Sequence, residues 1–220
     1  MNQIFNFKLH PIHTSNHYLN VCREKLKYNS VLQLDNFLSS ESLKNIQNEA
    51  NLLHSKAFYC SQDHTVLLAK KNNELDINDP CNIEIKSDKG CVPHDLIPPD
   101  SDLQKLYNSK DFVKFIETVV GLKKIYPYKD TLSSINYNYY EKNQQLGWHF
   151  DNASFAITLM IQSSDSGGVF QYINKGRDFD NNIIDKNLIK SALNGDYPVN
   201  ELSVQPGTLI LFYGRNYLHR

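Results

Sequence analysis

The sequence lacks the long apolar runs, export signal and excess charge that would associate it with a membrane or a polyanion. No stretch approaches the roughly 20 apolar residues of a transmembrane helix, and the first residues lack the charged-then-apolar order of a signal peptide. The net charge is −1, so no general attraction to nucleic acid or anionic lipid is expected. These absences predict a cytoplasmic protein whose partner is a small molecule, with no nucleic acid and no membrane.

The sequence also lacks any paired cysteine motif. Its four cysteines form no CxxC pair and no zinc-type spacing, and without an export signal they are expected to be reduced thiols. The chain has 220 residues, of which 40% are hydrophobic and 21% charged. This length and composition predict a single globular domain over residues 1–220 with its own hydrophobic core.

Helical patterns are found mainly in the first part of the chain. Apolar residues at helical spacing predict helices at 39–54, 101–107 and 110–121, after a short buried strand at 31–38. The proline-containing stretch 60–101 is predicted to be a long irregular loop, either a functional lid or a surface insertion. Residues 1–30 contain three histidines. They are predicted to form a solvated arm rather than a metal site, because Pro11 interrupts any helix that would align His10, His13 and His17.

From residue 126 onwards the pattern becomes that of strands. Short strands are predicted at 133–140, 155–162, 168–173, 202–204, 208–213 and 217–219, with a helical insert at 187–195. Strands separated by turn residues, behind a helical layer, indicate a mainly β, α+β fold: a β-sandwich or jelly roll with helices packed outside. The predicted division is a helical support and lid at 1–125 and a jelly-roll core at 126–220.

The segment Gly147-Trp-His-Phe-Asp carries the clearest chemistry. In an extended segment, His149 and Asp151 point to the same face, and the last predicted strand supplies His219. Two imidazoles and one carboxylate are the facial triad of non-haem iron(II) oxygenases, which leaves three metal positions open for a bidentate oxo-acid and dioxygen. A His-x-Asp pair by itself is weak evidence, since chance supplies it often and either histidine can be an ordinary core residue. Trp148 lies on the opposite face, where packing is expected.

Four segments around these residues resemble, in order, the iron(II)/2-oxoglutarate-dependent oxygenase superfamily. They are the strand and turn at 140–151 with the His-x-Asp motif, the Gly-Gly turn at 167–168, the Pro-Gly turn and apolar strand at 206–212, and the histidine segment at 215–220. The resemblance implies a double-stranded β-helix (jelly roll, cupin-like). It also implies Fe(II) bound by His149, Asp151 and His219, with 2-oxoglutarate as co-substrate and O2 as oxidant.

A closer resemblance is to the branch of free-lysine halogenases and their hydroxylase relatives, on the segments 35–41, 126–128, 146–151 and 209–219. It implies that the substrate is a small free amino acid such as lysine. Glu84, Lys86 and Asp88 are candidate contacts for its charged groups. In halogenating members a small residue replaces the carboxylate and chloride occupies the vacated iron position. Asp151 departs from that pattern, so hydroxylation of an unactivated C–H bond is predicted instead.

The predicted co-substrate site is incomplete. The superfamily has an arginine about ten residues beyond the distal histidine, and this sequence ends at Arg220. Neither Arg215 nor Arg220 matches the family position. The sequence is therefore expected either to be a fragment that lacks the final strand, or to hold the co-substrate in another way. Tyr140 or Asn138, before the motif, is a candidate to hydrogen-bond the oxo-acid, although Tyr140 is equally compatible with packing.

Three other interpretations remain at this stage. A peptide or protein side-chain hydroxylase has the same order of motifs. A truncated, non-catalytic relative would keep the metal ligands alone. A metal-binding cupin without 2-oxoglutarate is disfavoured, because cupins more often present several histidines and this chain offers two near the site.

Overall fold

The computed structural model describes residues 3–220 and combines helices with short antiparallel strands. The α-helices are Asn16–Asn29 (α1), Ser40–Leu53 (α2), Asp102–Tyr107 (α3), Lys110–Val120 (α4) and Lys186–Asn194 (α5). The strands are Val31–Leu34 (β1), Phe58–His64 (β2), Ile85–Pro93 (β3), Asn136–Tyr139 (β4), Ala156–Leu159 (β5), Phe170–Lys175 (β6), Arg177–Asp178 (β7), Ile183–Ile184 (β8), Asn200–Leu202 (β9), Leu209–Phe212 (β10) and Tyr217–His219 (β11). None of the helices within residues 3–220 has the length and apolar character of a transmembrane span.

The strands form antiparallel sheets. One sheet has the order β1-β10-β5, a second β11-β6-β9 and a third β2-β3-β4, while β7 and β8 pair as a hairpin. An isolated antiparallel bridge joins His149 to His219. The predicted mixture of helices and strands is confirmed. Of the eleven strands within residues 3–220, five lie inside the predicted ranges (β1, β4, β5, β10 and β11), two overlap them in part (β6 and β9), and four were not predicted (β2, β3, β7 and β8).

The predicted helices of the first half are confirmed. A serine side chain caps the beginning of each of them. The hydroxyls of Ser39, Ser101 and Ser109 accept hydrogen bonds from backbone N–H groups in the first turns of α2, α3 and α4. Such side-chain caps satisfy donors that the helix itself leaves free. The helical insert α5 ends at Asn194, next to Gly195.

The two larger of the three apolar clusters within residues 3–220 support the site. The larger lies between helices α1, α2 and α4 and the strands β1 and β10, and it includes Phe37, Phe115 and Leu211. The second lies beneath α5 and includes Trp148 and Phe150. Since Trp148 and Phe150 flank His149 in the chain, the second cluster anchors the backbone that presents the candidate ligands.

The prediction of an irregular loop over 60–101 was wrong. Strands β2 and β3 pair in register from Phe58 opposite Cys91 to His64 opposite Ile85, and the intervening irregular segment covers only 65–84. Strand β2 is the outer strand of its sheet and is exposed up to His64. Its sequence therefore has no alternation of apolar and polar residues that would predict a strand. The hydrogen-bonded ladder with β3 stabilises it instead.

The prediction of a solvated N-terminal arm was also wrong. Helix α1 begins at Asn16, beyond Pro11, and buries Leu19, Cys22 and Leu26. His10 is buried, and the rings of His13 and Phe7 lie 3.9 Å apart. Of the three histidines only His17 lies in α1, so no helix aligns their rings, as expected from Pro11. The three histidines are not among the groups of metal-ligating side chains found within residues 3–220.

Candidate metal centre

The backbone places the two candidate histidines side by side. His149 N–H donates to the His219 carbonyl over 2.9 Å, and His219 N–H donates to the His149 carbonyl over 3.1 Å. Asp151 N–H donates to the Gly214 carbonyl over 3.0 Å. The antiparallel bridge aligns the two rings, whose centroids lie 4.1 Å apart. Side chains two residues apart share a face, so the Asp151 carboxylate joins them.

Three ligand atoms converge on one point. Asp151 Oδ1 lies 3.5 Å from His149 Nε2 and 3.6 Å from His219 Nε2. His149 Nδ1 lies 2.7 Å from the Gly147 carbonyl, and His219 Nδ1 lies 3.0 Å from the Tyr217 carbonyl. A carbonyl only accepts, so each Nδ1 donates and each Nε2 keeps its lone pair for a metal. The structure thus brings the three predicted ligands together, and iron binding by them stays a prediction.

The protonation states suit a divalent cation. Burial raises the pKa of Asp151, but the contact with His149 and the charges of both histidines outweigh it, so the pKa lies below its ordinary value. Burial, with the charge of His149, lowers the pKa of His219 to about 4, although Asp151 and the Tyr217 carbonyl oppose this. At neutral pH the site therefore offers a carboxylate and a neutral imidazole at His219, the forms that bind metal.

The carboxylate of Asp151 also fits the centre sterically. Its Oδ2 atom is buried without a hydrogen-bond partner, which costs free energy in a metal-free site. A Cβ atom at residue 214 would lie 1.9 Å from this oxygen and 2.9 Å from His219 Cε1. The carboxylate therefore occupies space that only glycine leaves open. Two imidazole nitrogens and a carboxylate with one unpartnered oxygen fit a divalent iron.

A buried network behind His149 was not predicted. His64 Nδ1 donates to the Thr65 carbonyl over 2.9 Å, which leaves His64 Nε2 to accept from the Ser87 hydroxyl over 2.6 Å. The same hydroxyl accepts from Gly147 N–H over 2.9 Å. Since the Gly147 carbonyl binds His149 Nδ1, the chain of hydrogen bonds fixes the orientation of a candidate ligand. Residues 64 and 87 lie far from 147 in sequence, and no sequence signal joins them.

The two residues predicted to contact the co-substrate lie at the end of strand β4. Asn138 is exposed and its amide donates to the Asn136 side chain over 2.8 Å, and Tyr140 is 49% exposed. Within residues 3–220, no recorded hydrogen bond links either side chain to the three candidate ligands. Their proposed contact with an oxo-acid stays a prediction.

The predicted substrate contacts are occupied with other partners. Lys86 pairs with Asp88 at 2.8 Å, and Glu84 pairs with Lys71 at 3.5 Å. Asp88 also accepts a hydrogen bond from Gln145 N–H over 2.8 Å. The bond between Asp88 and Gln145 joins strand β3 to the turn before the His-x-Asp motif. Contact of Glu84, Lys86 and Asp88 with a substrate stays a prediction.

The chain matches one family model and a known fold. The model of the halogenase D family (HalD) matches residues 14–220. Among solved structures, the chain is similar to an oxidoreductase of the 2OG-Fe(II) oxygenase family from Burkholderia pseudomallei, with 13% identity and a TM-score of 0.56 over 93% of this chain and 84% of that one. At this identity the likeness shows the fold alone. No curated protein matches the chain.

Proposed function

The chain belongs to the halogenase D family, within the iron(II)/2-oxoglutarate oxygenases. We propose that it hydroxylates an unactivated C–H bond of a small substrate, a free amino acid such as lysine. The observation that carries the proposal is the convergence of His149 Nε2, His219 Nε2 and Asp151 Oδ1. Two neutral nitrogens and one anionic oxygen are the donor set of non-haem iron(II) enzymes that use an oxo-acid.

The residues of the chain have defined tasks in this proposal. His149, Asp151 and His219 would hold iron(II) on one face. Bound iron and 2-oxoglutarate would supply oxygen activation and C–H oxidation. The backbone carbonyls of Gly147 and Tyr217 keep the protons of both imidazoles on Nδ1. The rings of Phe170 and Phe212, with centroids 5.7 Å and 4.8 Å from that of His219, pack against one side of this ligand.

Hydroxylation is favoured over halogenation by the carboxylate of Asp151. In the halogenating members to which the sequence is similar, halide takes the position of this side chain. Here the carboxylate is present, and it fills the space beside Gly214. A halide at that position would have to displace a charged group already held between two imidazoles. The family name therefore does not decide the reaction of this chain.

The jelly-roll interpretation is supported by a core that two sheets share. Ile210 and Phe212 of strand β10 pack with Phe170 and Tyr172 of strand β6. The Phe170 and Phe212 rings meet edge to face with centroids 5.2 Å apart. Two sheets with their inner faces in contact are the architecture of a double-stranded β-helix.

The proposal is tested by a spectrum of the oxygen-free protein. Iron(II) and then 2-oxoglutarate are added, and a weak metal-to-ligand charge-transfer band is expected in the visible range. The band should be absent in His149→Ala and Asp151→Ala and present in His17→Gln, whose exposed ring lies on α1. Iron binding without the band would contradict the proposal and favour a non-catalytic, metal-binding relative.

The substrate class is tested by coupled succinate release and product mass. Free amino acids, lysine first, are compared with the same residues inside short peptides, in buffer that contains chloride. A product that gains one oxygen atom from a free amino acid supports the proposal. Turnover of peptides alone would indicate a protein side-chain hydroxylase, and exchange of hydrogen for chlorine would indicate a halogenase.

A further inference from the structure

Two arginine side chains lie against one aromatic ring beside the metal centre. The guanidinium carbons of Arg177 and Arg215 lie 4.7 Å and 4.3 Å from the centroid of the Phe179 ring. The Arg215 guanidinium donates to the carbonyl of Asn152 over 2.8 Å and 3.1 Å, directly after the candidate ligand Asp151. Phe179 is 41% exposed. Both arginines are themselves partly exposed, so the pair can be reached from solvent, and Arg215 adjoins the site through Asn152.

The backbone holds the two arginines in place. The Asn216 carbonyl accepts from the N–H groups of Gly176 and Arg177 over 3.1 Å and 3.2 Å, and Asn216 Oδ1 accepts from Phe179 N–H over 3.0 Å. These bonds tie the β7-β8 hairpin to the loop that contains Gly214, whose carbonyl binds Asp151 N–H. The arginines therefore belong to the same rigid frame as the Asp151 ligand.

The charge of this pair is not balanced by the protein. Among the described residues, neither guanidinium forms an ion pair, and the nearby Asp178 carboxylate pairs with Lys175 at 3.1 Å. Burial lowers the pKa of Arg177, and the charge of Arg215 lowers it further. The aromatic ring offsets part of this cost, but it leaves the N–H donors of Arg177 free. Two like charges held together in this way suit an anionic ligand.

We propose that Arg177 and Arg215 form an anion-binding subsite that takes a carboxylate group at the edge of the metal centre. The planar N–H fork of arginine matches the two oxygens of a carboxylate. Two sources have this chemistry, the far carboxylate of the oxo-acid co-substrate and the carboxylate of the substrate. Which of these two carboxylates the subsite binds rests on the proposed function, whereas the existence of the subsite does not.

The subsite is tested on metal-free protein by calorimetric titration with glutarate, a dicarboxylate without a keto group. Arg177→Gln is the main variant, because the Arg177 guanidinium makes no recorded hydrogen bond within residues 3–220, so its loss leaves no partner unsatisfied. We expect glutarate to bind the parent protein and to bind Arg177→Gln at least about tenfold more weakly. Arg23→Gln, on helix α1, is the matched control and should bind like the parent. Absence of glutarate binding, or equal affinity in Arg177→Gln, would overturn the proposal.

A second experiment distinguishes the two sources. In oxygen-free protein loaded with iron(II), the charge-transfer band is titrated with 2-oxoglutarate and with pyruvate, which lacks the far carboxylate. Weaker binding of 2-oxoglutarate alone by Arg177→Gln assigns the subsite to the co-substrate. If Arg177→Gln binds 2-oxoglutarate and pyruvate as the parent does, while its KM rises for the amino acid but not for the amide of that amino acid, the subsite is assigned to the substrate. Glutarate binding without any band would contradict the proposed function and leave the subsite standing.

Discussion

At the scale of single residues, the candidate ligands fit together only because residue 214 has no side chain. The buried Asp151 Oδ2 occupies the place of a Cβ atom at this position. The neighbouring loop holds the Asp151 backbone through the Gly214 carbonyl. Gly214 therefore acts on the metal centre without being a ligand.

Replacement of Gly214 by alanine should displace the Asp151 carboxylate or the His219 ring, since the new methyl group would lie 1.9 Å from Asp151 Oδ2. We expect metal affinity to fall about tenfold or more, measured by competition with a chelator. Gly195→Ala is the control: it strains a backbone with φ of 81° but meets no atom within 4 Å. It should cost about 1 kcal/mol of stability and keep the parent affinity. Parent-like affinity in Gly214→Ala would show that the carboxylate does not need this space.

Ser87 connects His64 to the backbone of the candidate ligand segment. Ser87→Ala removes the acceptor of Gly147 N–H and the donor to His64 Nε2. We expect a loss of about 1–3 kcal/mol of stability and a weaker, spectrally altered cobalt(II) complex as the His149 ring loses its orientation. Ser164→Ala removes an exposed hydroxyl that binds the Gly167 carbonyl, and it should change neither quantity. An unaltered cobalt spectrum in Ser87→Ala would refute the positioning role.

At the scale of elements, helix α1 and the segment before it form a buried layer. The His10 ring links them to the residue that follows strand β1. Its Nε2 donates to the Asp35 carbonyl over 2.8 Å, and its Nδ1 accepts from the Tyr18 hydroxyl over 2.6 Å. Burial lowers the pKa of His10 below 6.5, although the bond to the Asp35 carbonyl and the charge of Asp35 oppose this.

This layer should make the metal-free protein sensitive to mild acid. Below about pH 6.5 the unfolded chain takes up a proton on His10 that the folded chain does not, so the free energy of unfolding falls as the pH drops. The slope can reach about 1.4 kcal/mol for each pH unit. Urea unfolding between pH 7.5 and 5 should give a shallower slope for His10→Gln than for the parent, while exposed His17→Gln should match the parent. Equal slopes in all three proteins would contradict a neutral, buried His10.

At the scale of the whole molecule, the site joins parts of the chain that are distant in sequence. His149 and Asp151 follow the third sheet, His219 belongs to strand β11 of the second, and Gly214 follows strand β10 of the first. The contacts that assemble the site are therefore those that assemble the fold.

A bound divalent metal should consequently stabilise the entire protein. A ligand that binds only the folded state, at a hundred times its Kd, adds about 2.7 kcal/mol to the free energy of unfolding. For a chain of this size that corresponds to a rise of about 5 °C or more in Tm. Manganese(II) is the convenient probe. The rise should disappear in His149→Ala and persist in His17→Gln, and an unchanged Tm for the parent would argue against a specific metal site.

Features that depend on local spacing could be predicted from the order of residues. Apolar residues at helical spacing predicted helices α2, α3 and α4, and strand alternation placed the side chains of His149 and Asp151 on one face. Four features depend on tertiary structure alone: the polar strands, the buried N-terminal layer, the His64–Ser87 network and the Arg177–Arg215 pair. The reason is physical: each depends on partners far away in the chain, such as the ladder of β2 with β3, the Asp35 carbonyl that binds His10, or the Phe179 ring between two loops. Local periodicity carries no information about such contacts.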